Sequence, residues 1–162
     1  MNLRNSLLCL LMALLLFSCD KKRVFDEYRS VGSAWHRDSI ITFSLPKLDS
    51  VKPYNLYVNV RNNDNYEFNN LFLIVSLEHQ SGMTKVDTLE YEMADPEGKL
   101  LGQGFSDIKE NKLLYKEHAF FKPAGQYNIS IRQAVRQHGK VAGVEKLEGV
   151  SEVGFRIESL EE

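Results

Sequence analysis

Cysteine is nearly missing from this chain: there are 2 in 162 residues, Cys9 and Cys19, both close to the N-terminus. No thiol pair is left in the body of the chain, which excludes an internal disulfide and a cysteine-based metal cluster. Tryptophan occurs once and proline 4 times. Excess charge is lacking too. Lys and Arg number 20 against 22 Asp and Glu, a formal −2, so there is no basic footprint for nucleic acid. The apolar run at residues 7–17 falls short of the ~20 residues that cross a bilayer as a helix. Catalytic signatures are also absent. The chain has no Gly-x-Ser-x-Gly elbow and no glycine-rich phosphate loop. His36, His79, His118 and His138 are too widely spaced for a local zinc motif. No cofactor, metal or small-molecule ligand is expected, and the chain does not read as an enzyme.

What is present begins at the N-terminus. Residues 1–5 are polar with one positive charge, Arg4; residues 7–17 are apolar; Ser18 is small. This is the three-part pattern of a secretory signal. Leu16-Phe17-Ser18-Cys19 resembles the lipobox of bacterial lipoproteins, with Phe17 bulkier than usual. The expectation is cleavage after Ser18 and acylation of Cys19, which would make the membrane a partner through an N-terminal lipid anchor. Without Arg4, 19 basic side chains face 22 acidic ones, a formal −3. Lys21-Lys22-Arg23 reads as a solvated spacer. Set against anionic headgroups, each charge would instead gain about 1 kcal/mol.

The rest is dominated by a period of two, the mark of half-buried strands. Ile41, Phe43 and Leu45 alternate with polar residues, as do Leu56, Val58 and Val60, then Leu89, Tyr91 and Met93, then Tyr127, Ile129 and Ile131, and finally Val153, Phe155 and Ile157. Residues 71–77 are apolar on both faces, which suits a central strand. Asn62-Asn63-Asp64-Asn65, with Glu67 nearby, reads as a turn; it lacks the acidic spacing and mid-loop glycine of a calcium loop. Asp95-Pro96-Glu97-Gly98 is another turn. Gly125-x-Tyr127 entering a strand resembles a tyrosine corner. Asp107 and Glu110 have capping-box spacing, so residues 107–117 are expected to form a short helix. Residues 141–149 are expected to be a loop or hairpin.

Together these patterns predict a mainly β chain with one β-sandwich, Ig-like or jelly-roll-like. The expected division is a signal peptide over 1–18, a lipidated cysteine and tether over 19–34 with a short strand near 24–28, and a sandwich over 35–160. Trp35, Tyr54, Tyr57 and Tyr66 are the aromatics that suggest a sugar- or protein-binding face, and the first three are the candidates for an interaction face. Packing inside the core is the competing role for all three, and Tyr57 is expected opposite the Leu56 and Val58 side of its strand.

Several stretches carry a family resemblance: Ala34-Trp35-His36-Arg37-Asp38-Ser39, residues 54–63, Asp87-Thr88-Leu89-Glu90-Tyr91-Glu92-Met93-Ala94-Asp95-Pro96, Gly104-Phe105, Lys109-Glu110-Asn111-Lys112-Leu113 and Val153-Gly154-Phe155-Arg156-Ile157. In this order they resemble the GldH family of gliding-motility lipoproteins of Bacteroidetes. The resemblance implies an envelope lipoprotein of the gliding machinery, which overlaps type IX secretion, with other envelope motility and secretion proteins as partners. It supplies no catalytic residues. It also implies a periplasm-facing position on the outer membrane, because Asp20 is followed by three basic residues instead of an acidic export signal; inner-membrane retention stays open. In the same setting Asp38-Ser39-Ile40, Asp49-Ser50-Val51 and Asp87-Thr88-Leu89 resemble an O-glycosylation motif, making Ser39, Ser50 and Thr88 candidates. Strand edges produce the same triplets. The leading expectation is a non-catalytic interaction component. The alternative is a glycan-binding module for peptidoglycan or polysaccharide.

Overall fold

A computed structural model describes residues 20–104 and 106–160; the signal segment and Cys19 lie outside them. Every regular element among the described residues is a strand. They are β1 (Arg23–Ser30), β2 (Ala34–His36), β3 (Ile41–Ser44), β4 (Tyr54–Asn62), β5 (Asn70–His79), β6 (Thr84–Glu92), β7 (Lys109–Ala119), β8 (Tyr127–Gln133), β9 (Lys146–Glu148) and β10 (Val150–Ser159). Sheet one has the order β1-β10-β4-β7, sheet two β3-β8-β5-β6, and β2 pairs with β9 in a small ribbon. All pairings are antiparallel.

The period of two explains how the sheets meet. It turns Leu56, Val58 and Val60 of β4, and Val153, Phe155 and Ile157 of β10, into the same buried cluster as Leu71, Leu73 and Val75 of β5 and Ile129 and Ile131 of β8. Each such side chain contributes about 1.5–3 kcal/mol on burial. The doubly apolar β5 lies inside sheet two, between β8 and β6, as its composition requires. The open sides of the sandwich are closed by polar ties and by rings. Tyr115 Oη and Lys116 Nζ of β7 each donate to Asp87 Oδ2 of β6 at 2.6 Å, and Tyr91 Oη donates to the Leu114 carbonyl at 2.8 Å. Across the other side Phe25 of β1 meets Phe43 of β3 edge to face at 6.3 Å.

Two expectations fail. Residues 107–117 are not helical, because β7 runs through them with Asn111 and Tyr115 buried and Lys112 and Leu114 exposed. The turn before it is capped by Ser106, whose Oγ accepts the Ile108 amide, and not by Asp107. Nor does the body begin at residue 35. The short strand expected near 24–28 is present and longer, as β1, an edge strand paired with β10 from Arg23 to Ser30, held by the Phe25 contact inside and by Tyr28 on the outer face. The tyrosine corner is present: Tyr127 Oη donates to the Pro123 carbonyl at 2.7 Å.

Register also defines the two ends of the sandwich. The Ser159 amide donates to the Lys22 carbonyl, Ser159 pairs with Tyr54, and Tyr54 pairs with Ala119. The chain therefore enters at the end that carries residues 45–53, 80–83 and 120–126. The described parts of the longer stretches that follow β6 and β8 lie at the opposite end.

Candidate interaction face

The outer face of sheet one is built by the residues that the core leaves over. Reading across the strands, register aligns Tyr28, Gly154, Asn59 and Lys112 in one row and Asp26, Arg156, Tyr57 and Leu114 in the next. Glycine at 154 lets the Tyr28 ring lie across β10. The ring's hydroxyl donates to Glu110 Oε1 at 2.9 Å, and the Arg61 guanidinium sits 4.2 Å above it. Arg61 also donates to Glu110 Oε2 at 3.0 Å and to Glu152 Oε2 at 2.7 Å. Nearer the entry end, Arg156 joins three carboxylates. Nη1 donates to Asp26 Oδ2 and Nε to Glu158 Oε1, each at 2.7 Å, and Nη2 donates to Asp20. Lys112 Nζ completes the lattice, donating to Glu158 Oε1 at 2.7 Å while standing 4.1 Å from the centre of the Tyr57 ring.

Charges of both signs are thus interleaved on a surface that is only partly wet. The side chains of Arg156 and Glu158 are 14% and 13% exposed. Burial pushes the Glu158 carboxyl up, but bonds from Lys112 and Arg156 outweigh it and hold the group below the ordinary glutamate range. The bond from Arg156 lowers Asp20 in the same sense. Burial and the bond to Glu110 push the Tyr28 phenol well above its ordinary value, so it stays a donor at any physiological pH. Such a face can recognise a partner by charge pattern.

The structure separates the three aromatic candidates. Trp35 is 0% exposed; its Nε1 donates to the Ser39 carbonyl at 3.0 Å. Tyr54 is buried as well, with its ring against Phe121 and its hydroxyl accepting the Asp49 amide. Neither ring can be presented to a partner, because both are spent on packing. Tyr57 is on the outer face, as its alternation against Leu56 and Val58 requires. Ser39 and Thr88 are exposed and Ser50 is half-buried, in three separate places: the β2–β3 loop, edge strand β6, and the β3–β4 loop. Two of the associated aspartates have local tasks. Asp49 Oδ1 accepts the Val51 amide, and Asp87 is the β6–β7 tie. The 62–65 segment is a turn, in which Asn63 Oδ1 accepts the Asn65 amide. Among the described residues no group of three or more His, Cys, Asp or Glu side chains is placed to hold a metal ion.

The sequence marked none of Tyr28, Arg61, Glu110, Lys112, Arg156 and Glu158 as an interaction residue; Glu110 is read there as a helix cap. The usable signal was the polar half of each alternation, for example Asn59 and Arg61 on β4 or Arg156 and Glu158 on β10.

Among solved structures, a family GH115 4-O-methyl-α-glucuronidase with specificity for decorated arabinogalactans superposes at a TM-score of 0.46 with 12% identity, over 89% of this chain and 18% of its own. A likeness of that strength bears on neither ligand nor activity. Sequence relatives are far nearer. The gliding motility lipoprotein GldH of Flavobacterium johnsoniae is 66% identical over 158 residues, 98% of each chain. A GldH homolog of Christiangramia forsetii is 49% identical over 154 residues, 94% of each chain. The family described as GldH lipoprotein matches residues 23–157, from the first residue of β1 into β10. This chain belongs to the GldH lipoprotein family.

Proposed function

We propose that the protein is a non-catalytic lipoprotein of the bacterial cell envelope, acting as an interaction component of the gliding-motility and type IX secretion machinery. The observation that carries this is 66% identity across 98% of both chains to a gliding motility lipoprotein. Acyl chains on Cys19 would hold the domain in a thin layer at the membrane. Confinement there raises its effective concentration towards co-localised partners without any new contact. The outer face of sheet one, with Tyr57, Tyr28 and the interleaved charges, is the surface offered to them. We place the protein on the outer membrane facing the periplasm, since Asp20 is followed by three basic residues and not by further acidic ones.

Deleting the gene should abolish colony spreading and reduce secretion of type IX cargo, and the wild-type gene should restore both. Cross-linking in intact cells followed by affinity capture should recover motility or secretion components. Recovery of the bait alone, with spreading unaffected by the deletion, would overturn the reading. The glycan-binding alternative loses Trp35, Tyr54 and Tyr66 to burial and keeps Tyr57, whose ring is capped by Lys112. Sugar attachment at Ser39, Ser50 or Thr88 belongs to the same envelope reading, and peptide mapping of the native protein decides it.

A further inference from the structure

The described chain starts at Asp20, one peptide bond from Cys19, and it is fastened from its first residue. Arg156 binds the Asp20 carboxylate, the Arg23 amide donates to the Asp20 carbonyl at 3.3 Å, and the Ser159 amide donates to the Lys22 carbonyl at 2.8 Å. A residue spans at most about 3.5 Å, so there is no slack between an acyl anchor on Cys19 and the folded body. The end of the sandwich that holds Asp20 must then lie against the leaflet.

That end has the side chains to do so. Three different loops expose an apolar tip there: Val51 in the β3–β4 loop at 73%, Met83 in the β5–β6 hairpin at 51%, and Phe120 after β7 at 51%. Met83 and Phe120 flank a crevice of ≈ 310 Å³ floored by Leu56, Leu77, Phe121 and Tyr127. Lys21, Lys22, Lys47, Lys85 and Lys122 are exposed around these tips, and Lys122 Nζ lies 5.0 Å from the Phe120 ring centre. Lysines of this kind bury their stems and reach for phosphate with their ammonium groups. Asp49, Glu78 and Glu117 are exposed nearby, and Glu161 and Glu162 follow in sequence. The charge is therefore close to balanced, and the end is amphipathic instead of simply basic. Apolar tips with lysines between them are the composition of an interfacial surface.

We propose that this end is a membrane-docking surface, in which Val51, Met83 and Phe120 enter the headgroup layer of the leaflet that holds the Cys19 acyl chains and the surrounding lysines meet its phosphates. The proposal rests on the lipoprotein reading of Cys19. The test uses the full acylated protein, purified from a lipoprotein-processing host, with its mass measured first. Once the signal is removed and Cys19 is acylated, no free thiol remains. Val51→Cys, Phe120→Cys and, at the opposite end, Val141→Cys can each therefore carry a single environment-sensitive fluorophore. In vesicles of phosphatidylethanolamine and phosphatidylglycerol, a nitroxide quencher on shallow lipid positions should quench the first two labels about threefold or more over the third. Near-ultraviolet dichroism of Trp35 reports that each variant is folded. Equal quenching at all three positions with Cys19 acylated overturns the docking proposal and leaves the lipoprotein reading standing. A mass without acyl chains overturns both.

Discussion

The row Tyr28–Gly154–Asn59–Lys112 makes a quantitative claim about the outer face of sheet one. A methyl group at Gly154 would meet Tyr28 Cδ1 at 2.8 Å and the Glu27 carbonyl oxygen at 2.9 Å, where unstrained carbon contacts need about 3.5–4.0 Å. Gly154→Ala must therefore lift the ring or shift β1. Overpacking of this kind costs about 1–3 kcal/mol. A lifted ring also loses its hydrogen bond to Glu110, about 1 kcal/mol net, and its stacking under Arg61, about 0.5–1 kcal/mol. Alanine's smaller freedom in the unfolded chain returns about 0.4–1 kcal/mol. The expected net loss is about 1.5–4.5 kcal/mol. Tyr28→Ala alone should cost about 2–3 kcal/mol, from the same bond, the same stacking and part of the ring's burial. In the double variant the ring is gone, so of these close contacts the one with the Glu27 carbonyl remains. The two losses should then fall short of their sum by about 1–2 kcal/mol. Urea unfolding followed by Trp35 fluorescence measures all four proteins. Additivity within about 0.5 kcal/mol, as seen for independent sites, would show that the ring does not rest on Gly154 and would remove the packing argument for this face.

Trp35→Ala should lower stability by about 3–5 kcal/mol in urea titration, as expected for a fully buried indole; a loss below about 1 kcal/mol would return the ring to the surface. Acid should destabilise the fold. Glu158 and Asp87 are held below their ordinary values of 4.5 and 3.8, burial being outweighed by Lys112 and Arg156 for the first and by Lys116 and Tyr115 for the second. The unfolded chain then takes up protons first, so stability present above those ordinary values is lost as pH falls through the depressed folded ones. Urea midpoints at about pH 6 and about pH 3 should differ less in Glu158→Gln than in the parent. Tyr127→Phe deletes the bond to the Pro123 carbonyl and should cost about 1 kcal/mol by thermal unfolding, with the fold retained.

Legibility in the sequence followed apolar alternation. Strands β4, β5, β8 and β10 were readable because their inner faces are Leu, Val, Ile and Phe. Strand β7 was not, because one of its inner positions is Asn111, a buried polar side chain whose Nδ2 donates to Asn62 Oδ1 at 2.7 Å. With that position polar, the alternation of Leu113 and Tyr115 was too short to oppose the cap spacing of Asp107 and Glu110. Strand β1 was only half visible for a similar reason: as an edge strand it buries little beyond Phe25 inside, and Tyr28 is covered only on the outer face. Tyr57 facing outward followed from its own strand. That Lys112 would cap it did not, since the pairing of β4 with β7 joins residues 55 positions apart. Trp35 was ambiguous because a lone aromatic in a three-residue strand has no period from which to read a face.

The difference between a tether and a strand at the N-terminus has mechanical consequences. A flexible segment over residues 19–34 would have a root-mean-square span of about 20 Å, and the domain on it would tumble and meet partners from any side. With β1 in the sheet and Asp20 bonded to Arg156, an anchor at Cys19 would restrict orientation as well as location. Strands β5 and β10 are each 10 residues long, so with the entry end docked as proposed, the far ends of these strands would stand about 33 Å from it at ~3.3 Å per residue. The outer face of sheet one, running between the two ends, would then be turned sideways along the membrane, where neighbouring membrane-anchored proteins diffuse. Orientation of this kind lowers the rotational cost of association before any contact forms. A face of interleaved charges has little apolar area to drive binding, and under the proposed function it would gain from being held in register with partners confined to the same leaflet.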